Sequence, residues 1–593
     1  KRSKNLWIRL VSIANSITSL RTLSALDWHE FVEDLSETEA ALRRDPAEVY
    51  AQMDFNTRDR YRHVVERLAR WSEKDEHEVA AAAVRLAEGR SRDADAPDRE
   101  HHVGYFLLRA GRRELERTIG ARVPVTRRLA RAVRPVLPWL YVLGQAVGAA
   151  IVTGVLLLQT KSLIVYGWGW VVPAAVVMLL FVSQSVISLI NWVATMVVPV
   201  RSLPRLDFKR GIPAEHATVV VIPTLLTDAK AVDSLVEGLE LRYLANRSRH
   251  LYFLLLTDFP DAPEQEMPTD EDLLRRTVMG VRNLNATYGE AGRPIFHLLH
   301  RPRLWNEAEG CWMGRERKRG KLTELNRVLR GKEPEAFSTV VGDIDVLRTC
   351  RYVIPLDTDT DLPPGSAASM IGSMAHPLNR PITDPETGCV DEGFGVLQPR
   401  VGIRLTGAGR SLFARLYAGE VGIDPYTREV SNVYHDLFAR GQFIGKGIYD
   451  IEAFHQSVGG RFPPNRILSH DLIEGCHAHC GFLNDVELVE DHPSRYLADV
   501  NRRHRWVRGD WQIAAWLLPW VPSSDGNRVR NPLDRLSRWW IFDKLRRSLV
   551  PIALLVLLVG GWLALPQLQP AWTIWVLARS EEHTSELQSL LII

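Results

Sequence analysis

The chain has 593 residues, of which 46% are hydrophobic and 24% charged, so its composition excludes intrinsic disorder and collagen. Its 74 lysines and arginines nearly balance 71 acidic residues, and the formal net charge of +3 argues against a dedicated nucleic-acid-binding protein. Five cysteines are too few for a disulfide framework and indicate a reducing compartment.

The N-terminal region, residues 1–134, is predicted to be α-helical and cytoplasmic. Thr57–Leu86 has apolar residues at helical spacing among many charges. The region has no visible catalytic constellation, and we expect a scaffold or regulatory role. Because the chain starts with Lys1 and not with Met, we also expect that it is clipped at this end.

Three long stretches without charged residues predict membrane-spanning helices. Their cores are Leu137–Leu158, Val171–Val198 and Leu549–Leu565. A helix that crosses a bilayer needs about 20 mostly apolar residues, and each stretch is close to that length. A buried core helix is the alternative interpretation, but such helices are rarely uncharged for so long. Residues 135–200 therefore predict two membrane helices, and residues 548–578 predict a third and the start of a fourth.

Basic clusters flank the predicted spans on one side. The clusters comprise Arg127, Arg128, Arg131, Arg134, Arg201, Arg205, Lys209, Arg210, Lys544, Arg546 and Arg547. By the positive-inside rule, residues 1–134 and 201–547 are both expected in the cytoplasm.

Residues 201–547 alternate between predicted strands and helices. Thr218–Ile222, Leu251–Leu256 and Arg351–Leu356 are short apolar runs, and helical patterns such as Asp233–Ala245 separate them. This alternation of strands and helices predicts an α/β fold with a mostly parallel sheet. In such sheets ligands bind beyond the carboxyl ends of the strands.

Carboxylates follow two of these predicted strands. Asp258 comes after the second run, and Asp357 and Asp359 come after the third. Carboxylates two residues apart at a strand end can converge on a hard divalent cation such as Mg²⁺ or Mn²⁺. A capped, solvated turn is the alternative for an isolated Asp-x-Asp.

Later residues complete a recognisable order. Lys321 lies where a cation could approach a phosphate, Asp471 follows the run 466–468, and Arg502, Arg505 and Trp506 precede the third predicted span. A surface arginine cluster is usually only a solvated or membrane-facing patch, so the specific signal is the order of these residues.

That order resembles the processive membrane glycosyltransferases of the cellulose and hyaluronan synthase type. Their last motif is Q/R-x-x-R-W, and Arg502 stands where the broader family commonly has Gln. Longer strings resemble the cyclic β-1,2-glucan synthases, glycosyltransferase family 84, from about residue 27 to 578. These strings are DPAEVYAQMDFNTRDRYRHVVERLA, HVGYFLLRAG, VVVIPTLL, LLLTDFPDA, HRPRLWNEAEGCWMGRERKRGKLTELN, PLDTDTDLPPG, GFGVLQPRV, FIGKGIYDI and RILSHDLIEG.

The resemblance implies a GT-A-like nucleotide-diphospho-sugar transferase domain inserted between membrane helices. It implies that Asp258 holds the uracil or ribose of UDP and that Lys321 helps on the phosphate side. Asp357 and Asp359 would bind the diphosphate through Mg²⁺ or Mn²⁺.

The resemblance also implies a base and an acceptor site. Asp471 would take the proton from the acceptor 2-hydroxyl as that oxygen attacks the anomeric carbon, while Arg502, Arg505 and Trp506 would clamp the diphosphate and stack against the acceptor sugar. The implied protein is an inverting UDP-glucose-dependent β-1,2-glucosyltransferase of the bacterial inner membrane that elongates a glucan.

Other functions remain open at this point. One alternative is a processive synthase of another linkage, and another is a catalytically inactive membrane scaffold, against which the intact aspartates argue. A glycoside hydrolase or phosphorylase is a third, but the family carries such domains downstream of the region seen here.

Residues near Asp471 allow two interpretations each. His470 either orients the base or is a packed histidine, and Glu474 is a possible second carboxylate ranked below Asp471. Residues 476–480, CHAHC, predict a buried helix better than a zinc site, because four ligands within five residues do not easily surround a tetrahedral ion.

The C-terminal residues 579–593 are expected to be an artefact. Arg579–Ser589 reads RSEEHTSELQS and resembles the in-frame translation of a common sequencing adapter. A genuine polar tail is the alternative, and the natural protein is expected to be much longer.

Overall fold

The computed structural model describes residues 12–13, 15–21, 24, 28–159, 168–289, 292–404, 411–417, 433–467, 470–564 and 573. It divides into two compact units, one of residues 1–131 with 204–206 and the other of residues 132–203 with 207–593. We call them the N-terminal unit and the sheet unit. The predicted fourth apolar stretch and the tail from residue 579 lie outside the described residues, apart from the single residue 573.

The described α-helices are numbered α1 to α20 in chain order. They are Trp28–Leu35, Glu37–Leu42, Phe55–Ala69, Glu76–Ser91, Val103–Leu108, Arg112–Thr118, Val125–Val133, Leu137–Gln159, Trp168–Val197, Ala229–Ala245, Asp270–Tyr288, Arg317–Leu329, Ile344–Arg348, Ser366–Ala375, Leu412–Tyr417, Val433–Phe438, Ile451–Val458, Asp471–His477, Tyr496–Gln512 and Arg535–Ala564.

The N-terminal unit is helical, as its sequence predicts. The amphipathic run forms two helices, α3 and α4, and each begins at an aspartate cap. Asp54 accepts a hydrogen bond from the Thr57 backbone at 3.0 Å, and Asp75 forms a capping box with Glu78. These caps satisfy backbone N–H groups that the first helical turn leaves without partners.

Three described helical stretches are long and apolar enough to cross a membrane: Val125–Leu158, Val171–Val197 and Arg535–Leu563. They contain the described parts of the three predicted cores except Val198 and Ala564, at the ends of the second and third. The third of these stretches lies in α20, which begins at Arg535, well before the predicted apolar core. Its first turns pack into the core of the sheet unit through Leu536, Trp540 and Ile541.

The strands, β1 to β15 in chain order, are Thr218–Leu225, Leu251–Asp258, Phe296–His300, Leu304–Asn306, Cys311–Met313, Thr339–Val341, Tyr352–Pro355, Thr360–Asp361, Ile382–Thr383, Val390–Glu392, Val396–Ile403, Ile448–Asp450, Cys480–Glu490, Trp520–Pro522 and Arg528–Arg530. Nine of them form one sheet in the order β6-β3-β2-β1-β7-β12-β11-β13-β8.

The central sheet is mostly parallel, which confirms the predicted α/β class. β1 pairs in parallel with β2 and β7, β2 with β3, and β11 with β13. β6, β12 and β8 pair antiparallel. Every residue of β2 is buried, as expected for a parallel strand covered on both faces.

The register of the strands brings the ends of β1, β2 and β7 to one edge of the sheet. Leu225 of β1 pairs with Asp258 of β2, and Val221 pairs with Pro355 of β7, two residues before Asp357. The carboxyl ends of β1, β2 and β7 therefore meet at one edge of the sheet, where the predicted aspartates lie. Asp471 reaches the same surroundings differently, as the first residue of helix α18.

Candidate active site

Asp258 is a buried carboxylate held by two cations. Its two oxygens accept hydrogen bonds from Nε and Nη2 of Arg301 at 2.9 and 2.8 Å, and Nζ of Lys321 lies 3.4 Å from Oδ2. Gly314 packs so closely that a Cβ there would lie 2.3 Å from Oδ2. The carboxylate is thus fixed in place by a bidentate arginine.

Lys321 is buried between this carboxylate and the end of β1. Its ammonium donates to the Thr224 carbonyl at 2.6 Å. Burial lowers the pKa of Lys321 to about 8, since Asp258 offsets only part of the desolvation and Arg301 adds repulsion. Lys321 therefore acts in the structure as a counter-ion of Asp258.

Asp357 and Asp359 come together with Glu490, the last residue of β13. One carboxylate oxygen from each lies within 4.8 Å of the others. Glu490 also accepts a hydrogen bond from Thr360 Oγ1 at 2.7 Å, which ties the end of β13 to the aspartate loop. We call Asp357, Asp359 and Glu490 the carboxylate cluster.

Two lysines contact the carboxylate cluster. Nζ of Lys318 lies 2.6 Å from Asp357 Oδ1, and Nζ of Lys446 lies 3.2 Å from Asp357 Oδ2 and also pairs with Glu490. Burial alone would raise the pKa of Asp357, but these two ammonium groups outweigh it and hold that pKa at about 2. Desolvation and the carboxylates of Glu490 and Asp357 instead raise the pKa of Asp359. Asp359 is thus the member of the cluster with the least compensated charge.

A second acidic group surrounds Asp471. His470 Nδ1 lies 2.7 Å from Glu474 Oε2 and 3.5 Å from Asp471 Oδ1, and both His470 and Glu474 are buried. Burial opposes protonation of His470, but the two carboxylates prevail and raise its pKa. His470 therefore contacts both Asp471 and Glu474, and Glu474 is the closer of the two carboxylates.

Asp471 itself remains available. Its Oδ1 is buried and has no hydrogen-bond partner among the described residues. Gly445 lies against the carboxylate, where a Cβ would meet Oδ1 at 2.7 Å. A buried acceptor without a partner is uncommon in folded proteins and calls for a functional explanation.

The arginine-tryptophan motif lies on helix α19. Arg502 is half-buried, lies over the Trp506 ring at 4.8 Å and bonds to Asp499 at 3.2 Å. Glu490 and Asp359 are among the charges that act on the Arg502 guanidinium. Arg505 is exposed on the same helix. Of these two arginines, Arg502 is therefore the one whose charge interacts more with the carboxylate cluster.

Four contributors were not singled out from the sequence: Arg301, Lys318, Lys446 and Glu490. Lys318 and Lys446 stand in the strings GRERKRGKLTELN and FIGKGIYDI, where each lysine is one among ordinary charges. The pair of glycines around Lys446 was the available signal, since Gly445 and Gly447 both have positive φ, 84° and 144°.

The carboxylate cluster has the donor chemistry that Mg²⁺ or Mn²⁺ prefers. All three side chains supply oxygen ligands, and Asp359 forms no ion pair among the described residues, in keeping with its raised pKa. The residues thus fit a hard divalent cation. By contrast, Cys476 and His477 are buried in helix α18, but the helix predicted for residues 476–480 ends at His477, and Cys480 begins β13.

Comparison with known proteins decides the relationship. The chain is 40% identical over 562 residues, 93% of its length, to the cyclic beta-(1,2)-glucan synthase NdvB of Rhizobium meliloti (strain 1021). The chain is a relative of the cyclic β-1,2-glucan synthases. It spans 19% of the length of that curated relative. No protein-family profile matches the chain. That relative is named as a synthase of a glucan, and three described helices of the present chain are long and apolar enough to cross a membrane.

Proposed function

We propose that the chain is a membrane-bound, inverting glucosyltransferase that uses UDP-glucose to elongate β-1,2-glucan. The observation that carries the proposal is a convergence of residues. The chain is a relative of a cyclic β-(1,2)-glucan synthase. Asp258, the carboxylate cluster and Asp471 lie at one edge of its sheet, and Oδ1 of Asp471 has no hydrogen-bond partner among the described residues. This arrangement supports a GT-A-like site that binds a nucleotide diphosphate sugar at the carboxyl ends of parallel strands.

The donor is proposed to lie along this edge. Asp258, fixed by Arg301, would accept hydrogen bonds from the uridine, and Arg502 would contact the diphosphate through its forked donors. Asp357, Asp359 and Glu490 would hold Mg²⁺ or Mn²⁺. A cation held there would neutralise charge that develops on the leaving diphosphate.

Asp471 is the proposed general base. Its Oδ1, which has no hydrogen-bond partner among the described residues, can accept the proton of the acceptor hydroxyl, and this transfer requires a distance of about 3 Å. Glu474 is less suited because His470 already holds its Oε2 at 2.7 Å. As Asp471 takes this proton, the acceptor oxygen attacks the anomeric carbon and the bond from that carbon to UDP breaks. One displacement on an α-linked donor therefore gives a β-linked product.

The membrane arrangement follows from charge. The basic flanks of the spans support a multi-pass protein of the bacterial inner membrane with the sheet unit on the cytoplasmic side. UDP-glucose would reach the site from the cytoplasm. Trp506, next to Arg502 and Arg505 on α19, offers a flat apolar face for the acceptor pyranose.

The test is glucose transfer in membranes. Membranes that contain the chain are incubated with UDP-[¹⁴C]glucose, with Mg²⁺, with Mn²⁺ or with EDTA, and the polymer is analysed for its linkage. We expect metal-dependent incorporation into β-1,2-linked glucan, loss of incorporation in Asp357→Asn, and normal incorporation in the exposed control Asp345→Asn. Another linkage would favour the alternative synthase, and no transfer from any nucleotide sugar would favour the inactive scaffold.

A further inference from the structure

The Lys446 ammonium lies among the same carboxylates that would hold a divalent cation. Its ammonium lies 3.2 Å from Asp357 Oδ2 and pairs with Glu490, so it bridges two of the three members of the carboxylate cluster. A divalent cation held by the same three carboxylates would compete with Lys446 for Asp357 and Glu490. Two positive charges at a few ångströms repel strongly in a partly dry site.

The backbone around Lys446 is fixed on both sides. A Cβ at Gly445 would meet the Asp471 carboxylate, and a Cβ at Gly447 would lie 2.2 Å from the Leu397 carbonyl oxygen. Lys318 also donates to the Gly445 carbonyl at 3.1 Å. Because the loop is pinned against Asp471 and β11, only the flexible four-carbon side chain of Lys446 is free to relocate its charge.

We propose that Lys446 is a resident counter-ion that stabilises the carboxylate cluster without donor and moves to the donor diphosphate when a divalent cation binds. The inference rests on the proposed function, since it takes the cluster as the metal site. The lysine would then couple the two ligands. Metal alone must displace an ammonium, whereas metal together with a diphosphate gives that ammonium a new anionic partner.

The charges of the cluster favour this exchange. Asp357, Asp359 and Glu490 carry three negative charges, which Lys318 and Lys446 balance in part. Lys318 is less suited to leave, because it also bonds to the Gly445 carbonyl. Lys446 has the carboxylates as its ion-pair partners and is 12% exposed, so its ammonium can turn toward solvent and an incoming diphosphate.

The test measures Mn²⁺ binding to the full chain in detergent micelles, by the electron paramagnetic resonance signal of free Mn²⁺, with and without UDP. We expect UDP to strengthen Mn²⁺ binding to the wild type by about tenfold or more. Lys446→Met should bind Mn²⁺ about tenfold more tightly than the wild type without UDP, and UDP should strengthen its Mn²⁺ binding by a smaller factor than in the wild type, after the Mn²⁺ bound by UDP alone is subtracted. Lys446→Arg, which keeps the charge, and Lys332→Met, which removes an exposed charge, should both follow the wild type.

Several outcomes would overturn the inference. Equal or weaker UDP-free Mn²⁺ binding by Lys446→Met rejects it, and so does unchanged enhancement by UDP in that variant. If no form binds Mn²⁺, the metal site and the exchange both fail. Transfer from UDP-glucose is measured in parallel. If the Mn²⁺ results hold while no glucose is transferred, the proposed function fails and the exchange stands.

Discussion

Asp45 of the N-terminal unit and Asp471 of the sheet unit are both carboxylates placed beside a histidine, and their surroundings differ in one respect. Asp45 is buried and accepts four hydrogen bonds, from His102 at 2.7 Å and from the backbone N–H groups of Val49, Tyr50 and Val103. Asp471 has an oxygen with no hydrogen-bond partner among the described residues, and its neighbouring histidine, 3.5 Å away, lies closer to another carboxylate.

The difference separates stability from chemistry. A satisfied buried network fixes one conformation, and the hydrogen bonds from His102, Val103 and Tyr50 lower the pKa of Asp45 although burial alone would raise it. An unsatisfied acceptor is costly for the fold and is retained where a ligand or a proton completes it. Substitutions at the two sites should therefore affect different properties.

The largest effect is expected at Asp471. Asp471→Asn removes the proposed base while it keeps the shape of the side chain, and the transfer rate should fall by about 10²- to 10⁴-fold. UDP affinity, measured by equilibrium binding, should stay near the wild-type value. Glu474→Gln is the matched comparison and should retain more activity. A smaller loss in Asp471→Asn than in Glu474→Gln would exchange their roles.

The next effect is expected at Asp45 and concerns stability. Asp45→Ala leaves His102 and three backbone donors buried without their acceptor, which should cost about 3–5 kcal/mol of unfolding free energy. Loss of protease resistance in the N-terminal unit measures it. Asp75→Ala, which removes an exposed helix cap, should cost only about 1 kcal/mol.

The pH dependence of this contribution has a definite sign. Because the folded pKa of Asp45 lies below its unfolded value, its stabilisation is present above the unfolded pKa and is lost as the pH falls through the folded pKa. Acid unfolding of Asp45→Ala should therefore be less steep than that of the wild type. An equally steep profile would place the acid sensitivity elsewhere.

An intermediate effect is expected at Gly445. Gly445→Ala places a Cβ 2.7 Å from Asp471 Oδ1, so the base must shift, and we expect transfer to fall by about 10- to 100-fold. Gly526→Ala is a matched control, because its φ of 83° is nearly that of Gly445 and a Cβ there meets nothing within 4 Å. The control should cost about 1–2 kcal/mol in backbone strain and leave transfer unchanged. Equal losses of transfer would show that strain alone is responsible.

The smallest effect is expected from the titration of Lys321. Its pKa of about 8 means that the ammonium beside Asp258 is lost as the pH rises from 7 to 9. The site then gains negative charge, and UDP affinity should fall by about three- to tenfold over that range. Lys321→Met should bind UDP weakly at both pH values. A pH dependence that survives in Lys321→Met would assign it to another group.

The local features of the fold were predictable from the amino-acid sequence alone. The apolar runs located strands β1, β2 and β7 but not their ends, since β1 continues to Leu225 and β2 to Asp258, whereas β7 already ends at Pro355. Asp258 is therefore the last residue of β2, and Asp357 follows β7 by two residues. The long uncharged stretches formed the three long apolar helices. The family relationship and the order of the acidic residues were also readable, because both are properties of the linear sequence and need no tertiary contact.

Which charged residues share the site could not be predicted, because long-range contacts bring them together. Glu490 joins Asp357 and Asp359 because β8 pairs with β13 and Thr360 bonds to Glu490, 130 residues away. Lys446 reaches the same oxygens because two glycines bend its loop between Asp471 and β11. Such partners are set by sheet order and strand register, which depend on packing across the whole sheet and leave no periodic signal in the local sequence.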